Sequence, residues 1–203
     1  MKLLVFDFDG TIADTKALYY DAIYNNLKYF GYSYKDVDKI IDKGYNLSII
    51  LKKLGLGFFV SFILKRKISK KIKERINNIK KCRDVEFIKN IKEKKIIVSN
   101  SSKEFMKPVL KHLKLNYFKE IYGSEDFIKK EDFIKNYLNK NKIKKEDCYY
   151  IGDRVVDVKV AKKIKCKSVI IIGKCSWDSR NELINANPDY LISDLKELKE
   201  IVK

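Results

Sequence analysis

The sequence predicts an α/β protein: a parallel sheet covered by helices on both faces, with an all-helical segment inserted early. Three observations predict it. The chain opens with an apolar strand that runs straight into carboxylates, Leu3–Thr15, LLVFDFDGTIADT. From about Val85 to the C-terminus, short apolar strands alternate with helical segments, the pattern of a parallel sheet buried on both sides. Between Thr15 and Cys82 only helical periodicity is present, with no strand signal.

In the opening strand, Phe6 and Phe8 alternate with Asp7 and Asp9. Extended chain has a side-chain period of two, so the two carboxylates share one face. Such a pair repels unless a cation or a shared proton compensates it. Gly10 and Thr11 turn the chain where the carboxylates end, and the C-terminal edge of an open α/β sheet is where ligands bind. The stretch reads as a divalent-metal site with a nucleophile beside it.

Asp14-Thr15 has the chemistry of a helix N-cap, and helix is expected over 16–30, on a stripe of Tyr19, Ile23, Leu27 and Phe30. Gly31 is a C-terminal stop. Shorter helices follow over 34–42 and 47–54, the latter capped by Asn46. From Phe58 to about Lys81 the pattern is helical and strongly basic, with Ile68, Ile72, Ile76 and Ile79 on one face. A helix over 85–92 leads to strand 96–98, which ends in Ser99-Asn100-Ser101-Ser102. Helix 103–113 contains Pro108, which should kink it. Strand 120–122, helix 131–139, strand 148–151, helix 156–164, strand 168–172, helix 179–185, strand 190–192 and helix 195–202 complete the chain.

Composition limits the alternatives. The apolar fraction of 45% supports a real core. The N-terminal apolar run is too short for a signal peptide, and Gly57–Lys65 falls far below a membrane span of about 18 residues. The expectation is a soluble, cytoplasmic protein. Four cysteines without CxxC spacing and a single histidine, His112, exclude a zinc site of the usual spacing. The net charge of +18 is spread along the chain among Glu, Ile and Asn, without aromatic-basic clusters. This argues against nucleic acid as the principal partner and for a solvated lysine-rich surface.

Three strands end in polar groups: Asp7/Asp9, Ser99/Asn100 and Asp153. In a parallel sheet these ends lie along one edge and can converge, within reach of a lysine from the Lys129-Lys130 pair. Carboxylates for a metal, a hydroxyl and backbone N–H for an anion, and a lysine make a phosphoryl-transfer constellation. Each fragment also has an ordinary reading. An isolated DxD is surface charge, GDxxxD can be a strand-to-helix turn, and Ser99–Ser102 can simply cap a helix.

Taken together and in order, Asp7-Phe-Asp9-Gly10-Thr11, Ser99-Asn100, Lys130 and Gly152-Asp153-Arg-Val-Val-Asp157 resemble the haloacid dehalogenase-like hydrolases. Leu115–Asp126 and Asn187–Ile192 resemble the phosphoglycolate phosphatase-like branch with a helical cap. The resemblance implies a three-layer Rossmann-like core formed by residues 1–14 and 84–203, and a helical cap over 15–83. It implies a Mg²⁺-dependent phosphatase acting on a small phosphomonoester, such as phosphoglycolate, a sugar phosphate or a nucleotide. Asp7 would be the nucleophile and Asp9 the general acid and base. Asp7, the Asp9 carbonyl and Asp153 would hold Mg²⁺. Ser99, the Asn100 backbone N–H and Lys130 would hold the phosphoryl group, and Asp157 would orient the lysine or metal-bound waters. The expected partner is a small phosphorylated metabolite, and the expected assembly a monomer or homodimer.

Lys130 is preferred to Lys129 because Phe133 and Ile134 then fit the helix start after the lysine. Two departures stand out: Glu131 replaces the usual proline after the lysine, and Lys165-Cys166 replaces a small Ala-Gly pair. A sugar-phosphate mutase of the β-phosphoglucomutase kind would share Asp7 and Asp9. Related ATPases have Thr in place of the second Asp and dehalogenases lack it, so Asp9 argues against both. A receiver-like signalling module conflicts with the helical insertion. A basic nucleic-acid-associated protein with a vestigial core conflicts with the intact acidic positions.

Overall fold

The computed structural model describes residues 1–41 and 44–202. Its centre is a six-stranded sheet built from β1 (Leu3–Phe6), β4 (Lys94–Val98), β5 (Glu120–Tyr122), β6 (Cys148–Gly152), β7 (Lys167–Ile171) and β8 (Tyr190–Ile192). Every pairing is parallel, in the order β5-β4-β1-β6-β7-β8. β1 is central: Phe6 stands opposite Ile97 on one side and Ile151 on the other. The chain builds outward from β1 in one direction and then, from β6, in the other. That reversal is where a doubly wound sheet opens a crevice.

The strands divide their side chains between two layers. Leu4 and Phe6 of β1 and Ile97 of β4 pack toward Phe105, Met106, Val109 and Leu110 of α5 (Lys103–His112) and Leu198 of α9 (Leu198–Ile201). Leu3, Val5, Ile96 and Val98 pack toward Ile134 and Leu138 of α6 (Lys130–Lys140) and Ala161 and Ile164 of α7 (Val155–Ile164). α8 (Arg180–Asn185) adds Leu183 against Val158 and Ile170. Helix, sheet and helix thus form the three expected layers. α5 continues through Pro108, and His112 is exposed.

Between Thr15 and Lys80 the chain leaves the sheet as α1 (Lys16–Leu27), α2 (Tyr34–Ile41), α3 (Leu47–Lys53) and α4 (Phe58–Glu74). Asp42, the expected end of the second helix, lies outside the described residues. α1 packs on α2 and α4, and α3 packs on α4, around Ile23, Leu27, Leu51, Leu64 and Ile68. Asn46 caps α3 by accepting from Ile49 N–H (3.1 Å). Phe30, expected on the buried stripe, is 46% exposed beyond the end of α1.

Three expectations are corrected. The long basic helix ends at Glu74, not Lys81, and the stretch without strand signal ends in a strand. β3 (Lys80–Lys81) pairs antiparallel with β2 (Ala13–Asp14). Asn77-Asn78 close a 3₁₀ turn here; asparagine amides compete with the helical backbone for hydrogen bonds. The ribbon lies where the chain enters and leaves the insertion. Residues 85–90 form 3₁₀ turns instead of an α-helix.

Candidate active site

The C-terminal edge of the sheet carries the polar groups. One residue beyond β1, Asp7 N–H donates to Ile151 O (2.8 Å), which fixes Asp7 beside the end of β6. The chain then turns tightly: Gly10 N–H donates to Ala13 O (2.9 Å), and both Ile12 and Ala13 N–H donate to Phe8 O (2.9 and 3.1 Å). Gly10 has φ +76°, and a Cβ there would lie 2.2 Å from Asp153 Oδ2. Only glycine permits both the turn and that approach.

Of the lysine pair, Lys130, the first residue of α6, is the one that lies against the carboxylates. It is 8% exposed, and its Nζ donates to Asp7 Oδ1 (3.0 Å) and Tyr150 OH (2.9 Å), whereas Lys129 is exposed. Glu131, in the place of the usual proline, faces outward and accepts from Lys163 Nζ (2.8 Å). Asp153 follows β6 and is fully buried. It accepts from Thr11 Oγ1 (2.9 Å) and Trp177 N–H (2.7 Å). Asp157 stands one turn into α7. Its Oδ2 accepts from Asp153 N–H (3.2 Å) and Arg154 N–H (3.0 Å), and its Oδ1 accepts from Tyr150 OH (3.2 Å).

Carboxylate oxygens of Asp7, Asp153 and Asp157 all lie within 4.8 Å of one another. The sequence reading set Asp157 behind this group; the geometry brings one of its oxygens level with the other two. Asp9 is engaged differently. Its Oδ1 accepts from Thr15 Oγ1 (2.7 Å), and its Oδ2 accepts from Ser101 Oγ (2.5 Å) and, at 3.4 Å, from Ser99 Oγ. Ser99 is buried. The Asn100 side chain turns away from the carboxylates and donates to Gly44 O in the insertion (2.7 Å).

The electrostatics follow from three buried carboxylates and the half-buried Asp9 against two cations, Lys130 and Arg154. Burial, then the charge of Asp7, push Asp9 up to about 6. Burial, then Asp157 and Asp7, push Asp153 well above the usual carboxylate range. Burial and Asp7 raise Asp157 to about 7, although Lys130 and Arg154 pull the other way. Burial favours neutral Lys130, but Asp7 and Asp157 outweigh it and hold the ammonium charged. Assembled without a cation, these carboxyls resist their charged forms, and all are hard oxygen donors. That donor set fits a divalent cation of the Mg²⁺ type.

The insertion sits directly over these groups. Arg154 Nη1 donates to Ile41 O (3.1 Å), and its Nε pairs with Asp178 (3.2 Å) while the guanidinium lies over the Trp177 ring (5.1 Å). Tyr19 OH and Ser101 Oγ are hydrogen-bonded (2.8 Å). Core and insertion enclose a cavity of about 610 Å³ whose lining includes Asp7, Asp9, Ser99, Asn100, Lys130 and Asp157. Tyr19, expected on the buried stripe of α1, lines this cavity together with Tyr45; Tyr20 is core.

Sequence reasoning missed Ser101, Tyr19, Tyr150 and Trp177. Ser101 was visible within Ser99–Ser102. Nothing in sequence separates Tyr150 from a core tyrosine.

Residues 4–171 match the haloacid dehalogenase-like hydrolase family, and the chain belongs to it. No curated protein matches the chain by sequence. Among solved structures, a hydrolase from Pseudomonas syringae superposes with a TM-score of 0.82 at 20% identity, over 99% of this chain and 98% of that one. A protein described as a predicted phosphatase from Clostridium acetobutylicum gives 0.79 at 24% identity, over 99% and 98%. One described as a predicted phosphoglycolate phosphatase from Haemophilus somnus gives 0.83 at 17% identity, over 100% and 98%. At these identities the likeness is one of fold.

Proposed function

We propose that this chain is a cytoplasmic Mg²⁺-dependent phosphatase that hydrolyses a small phosphomonoester through an aspartyl phosphate on Asp7, with residues 15–83 serving as its cap. The observation that carries the reading is the buried contact of Lys130 Nζ with Asp7 Oδ1 (3.0 Å) in the cavity between core and insertion, next to Asp153 and Asp157.

An Asp7 carboxylate oxygen attacks phosphorus, and the bond from phosphorus to the leaving oxygen breaks. Asp9 gives that oxygen its proton. Water then attacks the phosphorus of the aspartyl phosphate, Asp9 takes the water proton, and the phosphorus–Asp7 oxygen bond breaks to release phosphate. Ser99, the Asn100 backbone N–H and Lys130 hold the phosphoryl oxygens as their charge shifts. Asp7, Asp153 and the Asp9 carbonyl would hold Mg²⁺, and Asp157 is near enough to join or orient that set. When bound, the ion supplies positive charge against the phosphoryl oxygens. The hydrogen bonds from Thr15 and Ser101 aim the Asp9 carboxyl, and the overlying insertion excludes bulk water.

The test is turnover of p-nitrophenyl phosphate with Mg²⁺. Hydrolysis that Asp7→Asn abolishes and beryllium fluoride inhibits supports the reading. No turnover of any phosphomonoester, with tight and salt-sensitive nucleic-acid binding, overturns it.

A further inference from the structure

The cavity is larger than a phosphoryl group needs, and its two ends differ in chemistry. At the sheet edge stand Asp7, Asp9 and Lys130; the far wall is α4, which contributes Lys65, Ser69 and Lys73. These occupy i, i+4 and i+8, so they form one line along a single helix face. Lys73 is already paired with Glu104. Lys65 makes no ion pair among the described residues, although it lines the cavity. The cavity also continues outward. A neighbouring groove of about 570 Å³ shares Lys65, Ser69, Lys73 and Glu104 with it and adds Arg66 and Lys70, the latter paired with Glu74 (3.9 Å). Over its whole length α4 carries six cations (Lys65, Arg66, Lys67, Lys70, Lys71, Lys73) and one acid, Glu74.

We propose that the substrate is a bisphosphate: one phosphate reacts at Asp7 while the leaving group presents a second phosphate to Lys65 and Ser69, with Arg66 and Lys70 beyond. This rests on the phosphatase reading and narrows its substrate class. An unpaired ammonium beside a hydroxyl is a point-charge site for an anion. The further cations outside match a dianion better than a single carboxylate, and their field draws a multiply charged substrate inward. The transferred phosphate has its own partners at the sheet edge, so the second can contribute uniform binding at α4.

The experiment compares kcat/KM within matched pairs at low ionic strength with Mg²⁺: fructose 1,6-bisphosphate against fructose 6-phosphate and fructose 1-phosphate, and adenosine 3′,5′-bisphosphate against the 5′-monophosphate. 2-Phosphoglycolate serves as the carboxylate arm. At least one bisphosphate should exceed its parent by about tenfold or more, and should exceed 2-phosphoglycolate, with the advantage shrinking at high salt. Lys65→Gln should cut that ratio about fivefold or more, mainly through KM, and Lys65→Arg should retain most of it. Ratios near one while p-nitrophenyl phosphate is turned over would overturn the bisphosphate and leave the phosphatase standing. So would a ratio that Lys65→Gln does not change, or a preference for 2-phosphoglycolate. Absence of turnover on every phosphomonoester would overturn both.

Discussion

Thr15 Oγ1 donates to Asp9 Oδ1 at 2.7 Å. Thr15 is the N-cap residue of α1, yet its hydroxyl makes no capping bond to that helix. The first residue of the insertion thus spends its side chain on a carboxylate of the core. Removing the hydroxyl while keeping the shape should misdirect Asp9 without disturbing Asp7. Thr15→Val is expected to lower kcat about ten- to a hundredfold, part of the roughly 10²–10⁴ that a general acid contributes. Thr15→Ser should retain most of the activity, and steady-state kinetics on p-nitrophenyl phosphate checks both.

Divalent metal should stabilise the fold, because it compensates Asp7, Asp153 and Asp157 only when they are assembled. At a hundred times its dissociation constant, a ligand of the native state adds about 2.7 kcal/mol. For a chain of this size that is about 5–10 °C in unfolding temperature. Thermal unfolding with Mg²⁺ and with chelator measures the difference. Asp153→Asn should abolish most of it, and a wild-type protein indifferent to Mg²⁺ would count against the metal site.

Gly10→Ala meets two obstacles, a φ of +76° and an Asp153 oxygen where the methyl would go. Strain and displacement together should cost about 1–3 kcal/mol in urea unfolding. Activity should fall with it, since Asp153 is the group pushed aside. Unchanged stability would mean that the turn relaxes elsewhere.

Glu120 supplies a pH prediction remote from the site. Its carboxylate accepts from Lys94 Nζ (2.8 Å), Tyr137 OH (2.6 Å) and Tyr122 OH (2.9 Å). Burial pushes its pKa up, but the bonds from Lys94, Tyr137 and Tyr122 outweigh burial and hold it below the ordinary value of 4.5. A depressed carboxylate contributes stability that is present above the unfolded value and is lost as pH falls through the folded one. Glu120→Gln should therefore be the less stable protein at pH 7, and the two urea midpoints should converge as pH falls below about 4.5. Curves that stay parallel would show that the ion pair contributes nothing.

The sheet was legible because buried parallel strands leave short apolar runs at regular spacing, as in Ile96–Val98 and Cys148–Ile151. Asp7, Asp9 and Asp153 were legible because each stands at the end of such a run. The two-residue β3 was not, since Lys80-Lys81 carries no apolar signal and pairs only because the insertion returns there. Lys130 could be separated from Lys129 only weakly, because the difference is which side of the N-terminus of α6 each faces. The contact of the Asn100 side chain was not legible. Its partner is a backbone carbonyl at Gly44, 56 positions away, and carbonyls leave no mark in sequence.

The central place of β1 also bears on how the protein is made. Its two neighbours, β4 and β6, begin 91 and 145 positions after it, at Lys94 and Cys148 against Leu3. At a synthesis rate of about 5–20 residues per second, the first strand waits roughly 5–20 s for one partner and 7–30 s for the other. Meanwhile the insertion, whose helices contact one another locally, can form on its own schedule. Asp7 thus leaves the ribosome 150 positions ahead of its last carboxylate companion, Asp157. A nascent chain interrupted before β6 would leave one edge of its central strand unpaired.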